Sequence, residues 1–282
     1  MSSVSKVRWI VLPVVIVVAL AAGGCSSDSD DTSTDGGTPS ESGEGTSSTD
    51  ASDTIEILVT NDDGVGAPGI DALVEGLTGL DGVNVTVVAP AENQSGTSDM
   101  TTVGEVAHSE TTTTSGYEAV AVEGFPADSV NVALGELGIV PDVVISGINA
   151  GQNIGPISDI SGTVGAARTA ARAGYPALAT SQGEVEDDAV EPDFDTGVEF
   201  VLDWFEEHRD LIAEGELAAE VESLNIPTCV TGSVRGLAEV PLATDIEKEQ
   251  LNAMDCESTL EDPENDVIAF TNGFVTLASV PH

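Results

Sequence analysis

The chain has 282 residues, enough for one α/β core, and carries fifty Asp and Glu against seven Lys and Arg, a formal net charge of −43. Such a surface repels nucleic acid polymers and anionic membranes, which excludes a basic-patch binder. An anionic small molecule binds only where a cation or a helix amino end reverses the local field.

Residues 1–25 read as an export signal: Lys6 and Arg8, an apolar stretch from Trp9 to Ala22 broken by Pro13, then Gly23, Gly24 and Cys25. That stretch is short for a membrane span. The run Leu20-Ala21-Ala22-Gly23-Gly24-Cys25 resembles a bacterial lipoprotein box, with Ala22 where Leu is commonest, and the resemblance implies that Cys25 is lipidated and begins the mature protein. The chain is therefore expected outside the cytoplasmic membrane, touching lipid through that anchor alone. Ser26 to Asp53 is Ser, Thr, Asp, Gly and Glu with almost nothing apolar, the composition of a disordered acidic tether.

From Thr54 short β-branched runs alternate with Ala- and Gly-rich helical patterns, the texture of βαβ units and a parallel sheet. Strands are expected at Ile55–Thr60, Val83–Ala89, Val143–Ser146 and Ala177–Thr180, and helices at Pro68–Leu77, Ala127–Glu136, Thr163–Ala173 and Phe194–Glu207. The Thr-rich insert from Asp99 to Val122 alternates in polarity and reads as a β-hairpin or small extra sheet. Right-handed crossovers align the loops at the strands' carboxyl ends along one edge, where open α/β sheets bind ligands.

Three of those loops are rich in oxygen donors. The first strand ends in Asn61-Asp62-Asp63-Gly64, and two adjacent carboxylates need a cation, a proton or bulk water to relieve their repulsion. A simple Asp-Asp-Gly turn is the bland alternative. The second strand leads into Glu92-Asn93-Gln94-Ser95-Gly96 and the third into Gly147-Ile148-Asn149-Ala150-Gly151-Gln152-Asn153, small polar residues among glycines that let backbone approach a ligand. The third loop reaches Ser161-Gly162-Thr163 at the start of an Ala-rich helix, where free N–H groups and two hydroxyls suit a phosphate. Ser161 as an ordinary N-cap is the competing reading.

Together, TNDDGVGAPGI at 60–70, VVAPAENQSG at 87–96, GFPADSVNVAL at 124–134, PDVVISGINAGQNIG at 141–155 and SGTVGAARTAARAGYPALATS at 161–181 resemble the SurE family of survival-protein nucleotidases. The resemblance implies a Rossmann-like, three-layer α/β fold with a parallel sheet, the hairpin insert and a shortened carboxy-terminal extension. Ser223–Pro227 and Asn272–Leu277 resemble the family's later strands, whereas the segment between them is rewritten. The implied activity is metal-dependent 5'-nucleotidase chemistry, phosphate removal from nucleoside monophosphates. Carried onto matching positions, Asp62, Asp63, Ser95 and Asn149 would hold one divalent ion, Mg²⁺ or Mn²⁺, since all four offer hard oxygen. Asp62 and Asp63 would also be catalytic, and which of them takes the proton of the attacking water is left open. Ser161, Gly162 and Thr163, with Asn61 and Asn153, would receive the phosphate. The family's extension contributes to oligomer contacts, so the resemblance also implies a homodimer, with assembly most affected by the rewrite. Gln94 departs from the pattern, standing where the family often has Arg, and Arg168 and Arg172 are the nearest basic residues that follow the phosphate seat.

His108, His208 and His282 share no metal-ligand spacing, and neither Ser95 nor Ser161 sits in a nucleophile elbow. With Cys25 set aside, Cys229 and Cys256 remain as an even pair in an exported chain and are expected to form a disulfide. The competing functional reading is a tethered protein that captures a nucleotide or metal without turnover.

Overall fold

The structure, a computed structural model, describes residues 54–185 and 190–282. The export signal, Cys25 and the acidic tether lie outside the described residues. No helix among the described residues is long and apolar enough to cross a membrane.

Nine strands form one sheet in the order β3-β4-β2-β1-β5-β6-β7-β9-β8. Its centre is β1 (Ile55–Thr60), β2 (Val83–Pro90), β4 (Glu118–Val122), β5 (Val143–Ala150), β6 (Ala177–Gln182) and β7 (Val221–Ile226), all mutually parallel. The insert supplies β3 (His108–Thr112), antiparallel to β4, so the hairpin is built into the sheet edge rather than set apart from it. At the other edge β9 (Val275–Val280) runs antiparallel to β7 and pairs with β8 (Leu237–Glu239).

Strand alternation sends side chains to two helical layers. Ile57, Val59, Ile145 and Leu178 pack with α1 (Pro68–Thr78) and α4 (Phe194–Ala213). Leu58, Val88, Val144 and Ala179 pack with α2 (Pro126–Asn131) and α3 (Gly162–Arg172). In α1, Pro68 opens the first turn, where its missing N–H costs nothing, and Ile70, Leu73, Val74 and Leu77 form the buried stripe. A π-helical turn, Val132–Glu136, follows α2, so the helix expected at Ala127–Glu136 is divided. The α4 helix runs six residues beyond its expected end at Glu207.

β1 pairs β2 on one side and β5 on the other, so the strand order reverses there and the crevice at their carboxyl ends opens. β5 continues four residues past Ser146, because Asn149 and Ala150 resume pairing with Ser181 and Gln182 after a register irregularity. Gly147 makes that irregularity possible: its φ is 142°, and a Cβ there would lie 2.4 Å from the Thr180 carbonyl oxygen.

The carboxy-terminal segment is mostly irregular between β7 and α5 (Asp266–Thr271). Cys229 and Cys256 are joined by a disulfide, with Cα atoms 5.8 Å apart. Arg235 lies over the Phe274 ring at 4.2 Å. Asp266 accepts from the N–H groups of Gly155 and Ala243, both at 2.6 Å, while Ile154 packs on Val267 and Phe270. This segment therefore backs the loop that follows β5.

Candidate active site

Asp62 and Asp63 leave the end of β1 toward different partners. Asp62 is 3% exposed; its Oδ1 accepts the Thr163 hydroxyl at 2.6 Å, and the Thr163 N–H also donates to the carboxylate. Asp63 is half-buried, with Oδ1 accepting from Asn93 Nδ2 and Oδ2 from the Ala150 N–H, each at 3.0 Å. The Gln94 N–H donates to the Asp62 carbonyl at 2.7 Å. The loops after β1 and β2, the end of β5 and the start of α3 thus all converge on this pair.

Close approach depends on glycines. A Cβ at Gly162 would lie 2.9 Å from Asp62 Oδ2, so only glycine lets the first residue of α3 meet the carboxylate. At Gly165 it would lie 2.0 Å from the Ser98 carbonyl oxygen, which is how the loop after β2 rests directly on α3.

Burial pushes the Asp62 carboxyl up to about 6, against the Thr163 hydroxyl bond that favours the anion, and the charge of Asp63 adds to the rise. Burial also raises Asp63, opposed by the Ala150 N–H and the Asn93 amide. No ion pair among the described residues involves either aspartate. Arg168 is buried and spent on the carbonyls of Pro281 and Ser158 and on Asp159, and Arg172 pairs with Asp99 at 2.7 Å. Both arginines are thus engaged away from the aspartate pair.

The other residues singled out by sequence take distinct places. Asn149 is buried at the end of β5, its Nδ2 donating to the Gly151 carbonyl, which leaves its oxygen as acceptor. Ser95 is exposed on the β2 loop, its N–H held by Asn93 Oδ1 at 2.9 Å. Asn153 donates to Ser181 Oγ at 2.9 Å and toward Thr163 Oγ1 at 3.4 Å, so a buried polar chain reaches Asp62 from the floor of the sheet. Asn225 closes it by accepting from the Asn153 N–H at 2.7 Å. Thr163 spends its hydroxyl on Asp62, and Ser161 spends its own on capping α3 at Val164 N, 3.2 Å away. Asn61 turns back to the Gly64 carbonyl at 2.9 Å, and its buried Oδ1 has no partner.

Sequence reading missed Asn93, Ser181 and Asn225. Asn93 was within reach, since it lies two residues before Ser95 in the same donor-rich loop. Ser181 and Asn225 carry no signal short of strand pairing, which sets them side by side across β6 and β7.

Among the described residues no three or more His, Cys, Asp or Glu side chains are grouped to hold a metal ion. The chemistry offered is two carboxylates with neutral oxygen donors beside them. Beside Asp63 a cleft of about 440 Å³ opens between the amino ends of α1 and α4, with Ala150, Asn93 and Phe194 in its walls.

The profile of the family described as Survival protein SurE matches residues 57–250. A relative in Halobacterium salinarum (strain R1), named 5'-nucleotidase SurE, is 49% identical over 141 residues, half of this chain and 52% of that protein. One of the same name in Brevibacillus brevis is 39% identical over 195 residues, 67% of this chain and 72% of its own. The chain thus spans about half the length of the first and nearly three quarters of the second. The crystal structure of the SurE protein from Aquifex aeolicus superposes with a TM-score of 0.61 at 26% identity, covering 80% of this chain and 92% of that one. With that profile spanning residues 57–250, more than half of the chain, the chain belongs to the SurE family of survival proteins.

Proposed function

We propose that the protein is a divalent-metal-dependent phosphomonoesterase that releases phosphate from nucleoside monophosphates, tethered outside the cell membrane by a lipid on Cys25. The observation that carries the reading is the pair Asp62 and Asp63, desolvated at the strand-order reversal and without a cationic partner among the described residues. Holding two such carboxylates near neutral pH is costly unless a cation joins them. The donors fit a hard ion: Asp62, Asp63, Ser95 and Asn149 would hold Mg²⁺ or Mn²⁺ through oxygen alone. Bound there, the ion supplies Lewis-acid polarisation of phosphate and acidifies water.

The remaining work falls to the chain itself. Thr163, oriented by Asn153, fixes Asp62 so that Oδ2 remains toward the crevice beside Gly162. The N–H of Ala150 and the amide of Asn93 hold Asp63 at a fixed rotamer, so either carboxylate is placed to accept a proton. The phosphate would lie against the amino end of α3, where Gly162 adds no side chain and the helix dipole favours negative charge. Relatives named 5'-nucleotidase SurE support the substrate class.

The test is phosphate release from a panel of nucleoside monophosphates with Mg²⁺, Mn²⁺ or EDTA. Release that needs the metal and falls by roughly 10²–10⁴ in Asp62→Asn and Asp63→Asn supports the reading. Calorimetric binding of nucleotide with no release would replace it with capture without turnover.

A further inference from the structure

We infer that the cleft between α1 and α4 is the seat of the substrate's nucleobase, and that Phe194 provides the face on which the base stacks. The inference rests on the phosphomonoesterase reading and deepens it, since it assigns the aromatic part of the substrate to a wall whose residues, Asp63 apart, are given no part in holding metal or phosphate.

Asp63, one of the aspartate pair, lines the cleft, so a nucleotide whose phosphate is held at the pair can extend its base along that wall. Its volume of about 440 Å³ accommodates a nucleoside. Its character is unusual for this chain. The protein carries fifty acidic residues, yet Asp63 is the single charged residue in the cleft wall. The rest is glycine, alanine, one proline, Asn93 and Phe194, a neutral lining that suits an uncharged flat ring and offers no charged partner to a second anion. Phe194 is the largest side chain in the wall and is only partly buried. It is fixed rather than free: its ring edge rests on Gly69, where an added Cβ would lie 2.9 Å from Phe194 Cε1. A pre-positioned ring stacks on a base without losing rotamer freedom, and every base offers a π face, so the seat favours nucleotides over sugar phosphates without choosing strongly among bases. Asn93 is already tied between Asp63 and the Ser95 N–H, which leaves stacking as the main source of recognition.

The experiment compares kinetics on a nucleoside monophosphate and on ribose 5-phosphate, which has the same phosphate and no base. Three proteins are used: the parent, Phe194→Leu, which keeps apolar bulk against Gly69, and Gly66→Leu. Gly66 lines the cleft and a Cβ there meets no atom within 4 Å, so a leucine adds bulk to the cleft wall without disturbing the fold. Both variants are expected to raise KM for the nucleoside monophosphate roughly five- to a hundredfold while kcat/KM for ribose 5-phosphate stays within about twofold of the parent. Calorimetry with adenosine alone in EDTA gives a readout independent of turnover, and binding should weaken by the same factor in both variants. If no protein releases phosphate but adenosine still binds in a Phe194-dependent way, the base seat stands and the enzyme reading fails. If the parent releases phosphate equally well from both substrates and neither variant changes KM, or if adenosine binds all three proteins equally, the assignment of the cleft is overturned.

Discussion

Replacing Asp62 by Asn should make the metal-free protein more stable while abolishing its activity. Asp62 is 3% exposed, and its carboxyl stands at about 6 against an ordinary 3.8. A raised carboxyl favours the folded state at low pH and penalises it once ionised. Below pH 4 the side chain is protonated folded or unfolded, and nothing is lost. Between about 4 and 6 the unfolded chain ionises first and stability falls; above about 6 the full penalty applies. Two pH units at about 1.4 kcal/mol each put that penalty near 3 kcal/mol, an upper figure because Thr163 donates less strongly to an amide than to a carboxylate. Asp62→Asn should therefore gain roughly 1–3 kcal/mol at pH 7.5 in EDTA, and about half that at pH 5. In a chain this size each kcal/mol raises Tm by roughly 2–4 °C. Excess Mn²⁺ should reverse the ranking, since an ion at a hundred times its Kd stabilises the parent by about 2.7 kcal/mol and finds only one carboxylate in the variant. Urea unfolding at both pH values, with EDTA and with Mn²⁺, tests this. A variant less stable than the parent in EDTA at pH 7.5, or a gap that ignores pH, would refute the reasoning.

Four further outcomes follow. Thr163→Val deletes the 2.6 Å bond to a buried carboxylate, and urea unfolding at pH 7.5 should show a loss of roughly 1.5–3 kcal/mol together with lost phosphate release. Gly69→Ala puts a Cβ 1.9 Å from the Ile148 carbonyl oxygen, so α1 or β5 must shift, and thermal melts should show a cost at or above the top of the roughly 1–3 kcal/mol range for overpacking. Reducing the disulfide between Cys229 and Cys256, 27 positions apart, should lower stability by roughly 3–4 kcal/mol by freeing the unfolded chain, read as a shifted urea midpoint in reductant. Raising NaCl from 0.1 to 1 M shortens the screening length from about 10 to about 3 Å, and the urea midpoint should rise as repulsion among the carboxylates weakens.

What could be read in advance divides according to the range of the interaction. β1 spans the six residues its β-branched pattern marks, and α1 departs by one residue, because periodicity, Pro68 and the turn at Gly64 are local signals. The end of β5 was expected as a loop, since Gly147 and Asn149 punctuate it; pairing with β6, more than thirty residues away, extends the strand and places Asn149 on the sheet. The carboxy-terminal segment was illegible for a related reason. Its order comes from a disulfide, from Arg235 on Phe274 and from Asp266 reaching back to Gly155, contacts that no periodicity announces. Within the candidate site, the structure adds bonds that the sequence does not announce. Thr163, expected to receive phosphate, also donates its hydroxyl to Asp62, and Arg168, left open, is committed to backbone carbonyls and Asp159.

A net charge of −43 raises the question of how such a protein could attract an anionic substrate at all. Arginine is not the answer within the described residues, because Arg168 and Arg172 already have partners and Gln94 is neutral. What remains is the amino end of α3, already shared with Asp62, and whatever cation the aspartates recruit. An acidic surface concentrates divalent cations by the same field that repels free phosphate esters. The charge that opposes substrate therefore favours loading of the ion, and the loaded ion is the local reversal of sign that an anionic group requires. The base cleft suits this arrangement: its wall lacks charge except at Asp63, so the neutral part of a nucleotide meets no repulsion once its phosphate is held. On this account higher salt should aid the reaction through KM, by screening the repelling surface, until it begins to compete for the carboxylate pair.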